Sequence, residues 1–395
     1  MQYKLLATTA LVAAGLWAST EAAFAQAKVA PISVVVGGYH EQTFGYGGNK
    51  SGRTYAFLGA TASKINKMSQ MSDSEIWFGG RTTLANGITV GFDVQLEANT
   101  AGDQIDESYL FIDGAFGRLV IGSENTADYI MNYSIPGVGK AYGAQESSAQ
   151  SWILRPTAVT FLDTMQSGKG HGGGGNVLPG GGNDQQRVTY YTPRFWGFGA
   201  GVSYTPNVGG STGFVSGGSF EDNNGFVDKA ANRHNAFSGS VNFTNNFSGV
   251  QVNASAGITW YPKITNAATA PNNDRVVDWS VGGQLGYMGF MVGAGYRNLD
   301  VKNGAEDGYN WGVGASYVTG PFAVGLSYMT SNVEGTTTNS KNDKFHQILL
   351  SGAYTMGPGV DLIGALFHIS FKDEGGATAN KNSGVGAITG VRLSF

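Results

Sequence analysis

The feature that most constrains this chain is an alternation of apolar and polar residues that recurs along almost its whole length. In one such segment Ile88, Val90 and Phe92 take one face, and Thr89 and Asp93 take the other. A period of two residues is that of a β-strand with one apolar and one polar face. Each alternating segment is about 10 residues long, the length of a tilted strand that crosses a bilayer. The pattern predicts an all-β protein whose strands span a membrane.

The strands must close into a barrel, because a bilayer offers no partner for the open edge of a sheet. After the first 25 residues no uninterrupted apolar run is long enough for a transmembrane helix. Charged residues make up 13% of the chain, against about 25% in ordinary soluble domains. The 62 glycines and the Ser, Asn and Gln of the polar faces indicate a water-filled interior. With no cysteine, hydrogen bonds between strands rather than disulfides must hold the barrel together.

The N-terminus has the pattern of a cleaved signal peptide. Lys4 precedes an apolar run from Leu5 to Trp17, and Ala23-Phe24-Ala25 gives the small-x-small pattern of a cleavage site. The run is shorter than the about 20 residues that a membrane-anchoring helix needs. We therefore expect residues 1–25 to be removed and residues 26–395 to form the barrel.

Turn residues divide the barrel region into sixteen predicted strands. Asn86-Gly87 is the clearest two-residue hairpin turn, and short turns alternate with longer polar loops along the chain. Sixteen is an even number, as in bacterial single-chain barrels, and the rhythm places short turns in the periplasm and long loops outside. The predicted limits are 33–47, 74–85, 88–99, 106–116, 117–124, 185–194, 198–207, 233–245, 249–262, 275–287, 290–301, 308–318, 321–332, 343–355, 360–373 and 384–395.

The longest connection, at about 125–184, differs from the other loops. Its first half carries apolar side chains from Tyr129 to Trp152, which we expect to pack against the rest of the protein. Its second half contains a glycine-rich tract at 168–175, which indicates a surface tip. Long insertions of this kind in a compact domain are usually functional or disordered.

In four segments the chain resembles the general, non-specific porins of Gram-negative bacteria, in particular those of alpha-proteobacteria. The resemblance covers the chain after the signal peptide, and its four segments are Val34 to Tyr39, the hairpin from Phe78 to Phe92, Phe116 to Gly122 and the terminal Phe395. It implies a homotrimer of sixteen-stranded antiparallel transmembrane β-barrels, each with a long third loop, here about 123–184, folded into the lumen. It also implies contact with outer-membrane lipid and lipopolysaccharide, and recognition of Phe395 by the barrel-assembly machinery as an assembly signal.

The resemblance further implies that acidic residues of the third loop face basic residues of the wall across a pore constriction. The expected constriction residues are Arg81, Arg118, Glu124, Asp128, Glu146 and Asp163. The other expected pore-wall residues are Asp93, Glu97, Arg187, Arg297 and Arg392. No cofactor is expected, although the resemblance allows calcium bound to loop carboxylates. The spacing of the acidic residues shows no dedicated metal-binding loop.

These features favour passive diffusion of small hydrophilic solutes and ions, with a weak preference for cations because the loop acids and the net charge of −4 are negative. The acidic balance argues against nucleic-acid binding. A sugar-selective or anion-selective channel is the nearest alternative, and an adhesion barrel with binding loops at 48–73 and 208–232 is a further one. A hydrolase is disfavoured, because Ser211 of the G-x-S-x-G match lies in a glycine-rich loop rather than at a strand-to-helix turn. The histidines, including His171, show no metal spacing.

Overall fold

The computed structural model describes residues 31–56, 60–99, 105–138, 148–167, 184–208, 233–263, 274–302, 307–336 and 339–395. The predicted signal peptide, Glu146, His171 and Ser211 lie outside these ranges. Within them no helix is both long enough and apolar enough to cross a membrane.

Sixteen strands form one closed antiparallel barrel in the order β1-β18-β17 and onward to β5-β4, which confirms the predicted fold class. Two short strands, β2 and β3, form a separate sheet in the first long loop. The strands are β1 Ser33–Gly47, β2 Arg53–Tyr55, β3 Ala60–Ala62, β4 Met68–Thr83, β5 Thr89–Glu97, β6 Ser108–Gly114, β7 Gly117–Glu124, β8 Gln185–Tyr191, β9 Phe198–Val208, β10 Arg233–Phe247, β11 Val250–Tyr261, β12 Val276–Tyr287, β13 Phe290–Val301, β14 Gly308–Thr319, β15 Phe322–Thr336, β16 Asn339–Gly357, β17 Val360–Lys372 and β18 Lys381–Ser394. Within the described residues, the helical segments are α1 Ala127–Ile130 and two 3₁₀ turns, Ser148–Trp152 and Thr378–Asn380.

The strand limits differ most from the prediction at the ends nearest the long loops. Strand β4 begins at Met68 rather than at 74, because its polar first residues pair with the C-terminal part of β1 in the register Tyr46↔Met68. Strands β16 and β18 likewise begin earlier than predicted, at Asn339 and Lys381. These extensions project beyond the apolar belt, so they carry no alternation from which the sequence could reveal them.

The short turns have the backbone that tight hairpins require. In Ser248-Gly249 both residues have positive φ, 52° and 91°, and Met288-Gly289 repeats this with 49° and 85°. Such turns match the right-handed twist of the flanking strands, and glycine adopts positive φ without steric cost. These two predicted short turns therefore have the backbone conformation of tight hairpin turns.

Most strands present an exposed apolar face and a covered, mainly polar face. On β11, for example, the side chain of Ile258 is 49% exposed whereas its neighbour Thr259 is 1% exposed. Aromatic rings gather on the outer face near strand ends, where Phe237 lies 5.0 Å from Tyr204 and 6.4 Å from Trp260 between ring centroids. An apolar outer face bordered by aromatic residues suits a barrel surrounded by lipid.

The barrel closes where β1 meets β18, in the register Tyr39↔Ser394. Beyond this pair, the backbone N–H groups of Gly38 and Phe395 each donate to the carbonyl of the other residue at 3.1 Å. The terminal Phe395 therefore completes the seam.

Candidate functional site

Two described stretches of the long connection, 125–138 and 148–167, lie against the polar face of the barrel wall. Their backbone N–H groups donate to hydroxyl groups of the strands: Ala127 to Ser203 Oγ at 2.9 Å and Leu162 to Ser331 Oγ at 2.9 Å. Hydroxyl groups that suggested a water-filled interior therefore also hold this connection in place.

Glycines of the polar face give the first stretch its room. Gly257 lies beside Asp128, Gly282 beside Tyr133, and Gly312 and Gly314 beside Ile135, and a Cβ atom on Gly312 would overlap the Ile135 side chain. Successive strands thus present a groove of glycines along which the connection runs. The sequence pattern suggested that these glycines face water, whereas several of them contact protein.

Asp128 is buried where helix α1 meets the wall. Its side chain is 1% exposed, and Thr259 on β11 donates to its Oδ2 at 2.5 Å. Burial raises the pKa of Asp128 to about 6, and hydrogen bonds from neighbouring hydroxyl groups oppose this shift. Asp128 therefore contacts strand β11, and its predicted role at the constriction stays a prediction.

The second stretch is held by a fully buried ion pair. Arg297 on β13 donates to both carboxylate oxygens of Asp278 on β12, at 2.9 and 2.8 Å, and also to the carbonyl of Thr164 at 3.3 Å. Asn310 on β14 donates to the same carbonyl at 2.7 Å. Arg187, a second predicted wall residue, is 3% exposed and donates from Nε to the carbonyl of Gln185 at 3.1 Å. The side chains of Arg187 and Arg297 are therefore covered by protein.

An apolar cluster anchors the same stretch on strands β15 to β18. The ring of Phe161 lies 4.6 Å from Phe345 and 5.4 Å from Phe371, between centroids. The cluster also includes Trp152, Ile153, Val159, Met165, Met329, Leu349, Ile363, Phe367 and Ile369. Strands β16 and β17 are apolar on both faces in these regions, a signal of a packed inner surface that the prediction from alternation did not use.

The same stretch also crosses the seam between β1 and β18. Asn49, just after β1, donates to the carbonyl of Trp152 at 2.8 Å and accepts from the N–H of Leu154 at 2.7 Å. Asn382 on β18 donates to the carbonyl of Leu154 at 2.8 Å and to Asn49 Oδ1 at 2.9 Å. The connection therefore ties the first and last strands of the barrel together.

The wall formed by β1 and β4 to β7 is rich in carboxylates on its inner face. Glu41 stands opposite Asp73 in the pairing of β1 with β4, and Glu75 stands opposite Glu97 in the pairing of β4 with β5. Like charges directly opposite each other destabilise a sheet, so their repetition indicates a role other than stability. The inner carboxylates described on this wall are Glu41, Asp73, Glu75, Asp93, Glu97, Glu107, Asp113 and Glu124. We call this set the acidic wall.

Among the described residues, Arg81 and Arg118 lie on the acidic wall, and Arg392 reaches it from β18. Arg392 donates to Glu41 Oε2 at 3.2 Å, and its guanidinium lies 3.7 Å from the centre of the Tyr39 ring. Arg118 lies 3.7 Å from Asp113 Oδ1. Eight carboxylates therefore outnumber three guanidinium groups, and the wall carries a net negative charge.

The connection and the acidic wall meet at the middle of β1. Glu41, Thr43 and Asp73 border a cavity of about 170 Å³ whose other side is formed by Ser151 and Trp152. The resemblance to porins implied loop acids opposite wall arginines. Here the carboxylates belong to the wall, and the loop contributes a hydroxyl and an indole ring.

The remaining predicted residues occupy varied positions. Asp93 and Glu97 are half-buried on the acidic wall, Asp163 is half-buried on the second stretch, and Glu124 is buried at the end of β7. Residue by residue, the sequence reasoning missed Glu41, Asp73, Glu75 and Glu107. Alternation alone places Glu41, Asp73 and Glu75 on polar faces, and that was the available signal.

Two groups of three carboxylates in the described residues have the spacing of a cation site. Glu75, Glu97 and Asp106 each bring one oxygen within 4.8 Å of the others, and so do Asp343, Asp373 and Glu374. The second group joins the long connection to the outer end of the barrel, because the N–H of Thr160 donates to Asp343 Oδ2 at 2.6 Å. Oxygen ligands of this kind suit calcium.

The chain matches a known protein family and shares its fold with several solved structures. A family model described as Gram-negative porin matches residues 7–374. No curated protein sequence matches the chain.

Several solved structures share the fold. The anion-selective porin from Comamonas acidovorans is 15% identical over 92% of this chain and 100% of its own, with a TM-score of 0.55. The outer membrane channel DcaP of Acinetobacter baumannii is 14% identical over 92% and 97%, with a TM-score of 0.58. The trimer form of OmpT from Vibrio cholerae is 14% identical over 92% and 99%, with a TM-score of 0.53.

Proposed function

Because the chain belongs to the Gram-negative porin family, whose members are outer-membrane channels, we propose that it is a general diffusion channel for small hydrophilic solutes and ions that favours cations. The path would run between the long connection on one side and the acidic wall on the other. The connection would be the constriction loop, folded into the lumen and narrowing it. The single observation that carries the proposal is the position of this connection, which covers much of β9 to β18 and leaves the acidic wall facing it.

The preference for cations rests on the balance of charge in a narrow aqueous passage. Rings of carboxylates bias a pore towards cations, and the low-dielectric wall around them strengthens the field. Arg392 and Arg118 each lie close to a carboxylate, and this pairing reduces their effect on a passing anion. Of the six remaining carboxylates, we expect Asp73, Glu75 and Glu97 to set the sign of the selectivity.

The test is the reversal potential of the purified protein in a planar bilayer across a potassium chloride gradient. The wild type is expected to favour potassium, and a triple variant with Asp73→Asn, Glu75→Gln and Glu97→Gln is expected to lose most of that preference while it still conducts. Glu334→Gln, an exposed carboxylate at the outer end of β15, is the matched control and should keep wild-type selectivity.

The outcomes separate the parts of the proposal. No conductance at any protein concentration would reject the channel itself. If the cation preference were lost in Asp163→Asn but kept in the triple variant, the selectivity would depend on the loop rather than on the acidic wall. Anion preference of the wild type would favour the selective alternative, which is how the Comamonas acidovorans relative is described.

Assembly belongs to the same proposal. We propose a homotrimer, as in the trimer form of the Vibrio cholerae relative, with conductance that rises in groups of three equal steps. Cleavage after Ala25, contact with lipopolysaccharide, recognition of Phe395 by the assembly machinery and kinship with alpha-proteobacterial porins stay predictions. Calcium binding also stays a prediction, and Asp343, Asp373 and Glu374 are the residues at which to test it.

A further inference from the structure

Three lysines lie side by side on the outer face of the barrel, at the ends of β16, β17 and β18 that adjoin the loops. Lys344 on β16 stands opposite Lys372 on β17, and Lys372 stands opposite Lys381 on β18. All three share the face of Ile348, which is 47% exposed, because side chains alternate between the two faces of a sheet. We call these three residues the lysine row.

The lysine row concentrates positive charge on this face. Two of its side chains are exposed and one is half-buried, and within the described chain no salt bridge or side-chain hydrogen bond joins them to another residue. The adjacent carboxylates Asp343 and Asp373 are buried, at 1% and 5% exposure, and the exposed Glu334 lies beyond the row on β15, opposite Asn342. Like charges directly opposite each other destabilise a sheet, so their alignment indicates an anionic ligand.

Side chains that form hydrogen bonds occupy the next positions on the same face, towards the short turns. His346 stands opposite Ser370, which stands opposite Ser383. His368 Nε2 lies within hydrogen-bond distance of Ser383 Oγ, at 3.1 Å. Successive side chains on one face of a strand are about 7 Å apart, so this band lies about 7 Å from the lysine row. Its hydroxyl and imidazole groups suit the uncharged polar part of a lipid headgroup.

Apolar side chains follow this band on the same three strands. Leu350 on β16 stands opposite Leu366 on β17, and they are 42% and 57% exposed. Val385 on β18 is 59% exposed. From the loops towards the short turns, this face therefore changes from positive to hydrogen-bonding to apolar. That order matches an amphiphile with an anionic headgroup at the loop end and acyl chains below it.

We propose that this face of β16, β17 and β18 binds a phosphate-bearing lipid of the outer leaflet, with a phosphate group at the lysine row and acyl chains against Leu350, Leu366 and Val385. Ammonium groups and phosphate oxygens form charge-assisted hydrogen bonds, and a phosphate between opposed lysines replaces their repulsion by attraction. The inference rests on the outer-membrane location of the Gram-negative porin family, with the long loops outside, and not on what passes through the pore.

The experiment measures lipid binding to the purified protein in detergent by native mass spectrometry. The probes are lipid A with both of its phosphate groups and the same lipid A after enzymatic removal of both. The wild type is expected to bind the phosphorylated lipid about 10- to 100-fold more tightly, since each lysine adds to the attraction of an anionic headgroup. The triple variant Lys344→Gln, Lys372→Gln and Lys381→Gln should bind the two lipids alike.

The matched control has the same change of net charge at exposed lysines in or beside other loops, Lys64→Gln, Lys263→Gln and Lys302→Gln. It should keep the wild-type preference for the phosphorylated lipid. Folding of every variant is checked by mobility on gels run without boiling the sample. If the triple variant of the lysine row does not fold, Lys372→Gln alone, at the centre of the row, should still weaken binding of the phosphorylated lipid several-fold.

Four results would overturn the proposal. A phosphate preference that persists without the lysine row, or that the control loses equally, would assign the attraction to other charges. Inorganic phosphate that competes as strongly as the lipid, mole for mole, would identify a site for a free anion. Loss of the preference on addition of a chelator would mean that a divalent cation bridges the lipid to carboxylates. An effect of the lysine row seen only with a change in the number of copies per complex would assign this face to contact between copies. Lipid binding is measured without conductance, so failure of this site and failure of the proposed channel are distinguishable.

Discussion

At the residue scale, one arginine of the polar face illustrates how position decides role. Arg297 was predicted to line the pore because it lies on a polar face of a barrel strand. Its guanidinium and the Asp278 carboxylate are both fully buried, and together they support the backbone of Thr164. A buried pair of this geometry is strongly coupled, since removal of one partner leaves an uncompensated charge.

We predict that Arg297→Met destabilises the folded barrel by about 3–5 kcal/mol, because Asp278 would remain buried without its cation. The double variant Arg297→Met with Asp278→Leu should lose much less. Unfolding in urea from detergent or liposomes, followed by tryptophan fluorescence, measures both. Equal losses in the single and double variants would show that the ion pair itself contributes little.

Asp128, which is buried in helix α1 against β11, leads to a prediction about the pH dependence of stability. Its pKa is raised from 3.8 to about 6, so the folded protein keeps a proton that the unfolded chain releases. Stability is therefore greatest below pH 4 as far as Asp128 is concerned and falls as the pH rises to about 6. The shift corresponds to about 3 kcal/mol. Asp128→Asn should remove this part of the pH dependence in unfolding experiments, and a profile unchanged by the substitution would contradict the assignment.

At the element scale, strands were more predictable from the sequence than the loop that crosses them. Alternation and turn residues identify each strand, because those signals are local. The path of the connection depends on contacts between residues far apart in sequence, such as Gly312 with Ile135 and Phe161 with Phe345. Glycine and serine on a polar face suit water and a packed backbone equally well. The sequence could therefore place the loop after β7 but not the groove that seats it.

The glycine groove gives a prediction for β14. Gly312→Leu should displace stretch 125–138 from the wall, because the new side chain would occupy the space of Ile135. We expect a loss of about 1–3 kcal/mol in stability and a lower conductance as the stretch moves towards the acidic wall. Gly352→Ala on β16 meets only an ordinary contact, 3.4 Å from the carbonyl of Ala323, and serves as control. Wild-type conductance in Gly312→Leu would mean that the stretch does not border the passage.

At the scale of the whole molecule, the polar face of the barrel wall has two unlike halves. Strands β9 to β18 face protein through serine, asparagine, glycine and an apolar cluster, whereas β1 and β4 to β7 present carboxylates. The division also explains why the predicted arginines separate into two sets. Arg187 and Arg297 are covered by protein, whereas Arg81 and Arg118 lie on the acidic wall and Arg392 reaches it from β18.

The seam between β1 and β18 leads to the prediction at this scale. Asn49 and Asn382 join the first and last strands of the barrel to the same stretch of the connection. Each asparagine makes two or more hydrogen bonds there, and a typical intramolecular hydrogen bond contributes about 0.5–1.5 kcal/mol. Closing β1 on β18 brings together segments that are more than 330 residues apart, which is the slowest kind of contact to form.

The double variant Asn49→Ala with Asn382→Ala should therefore lower the unfolding midpoint of the barrel and slow its refolding into liposomes. Refolding is followed by the change from unfolded to folded mobility on gels run without boiling the sample. Thr83→Ala, at the short-turn end of β4 and hydrogen-bonded through its side chain to Thr89, is the control for loss of a hydrogen bond away from the seam. If the seam variant lost stability but refolded at the wild-type rate, the connection would dock after closure rather than assist it.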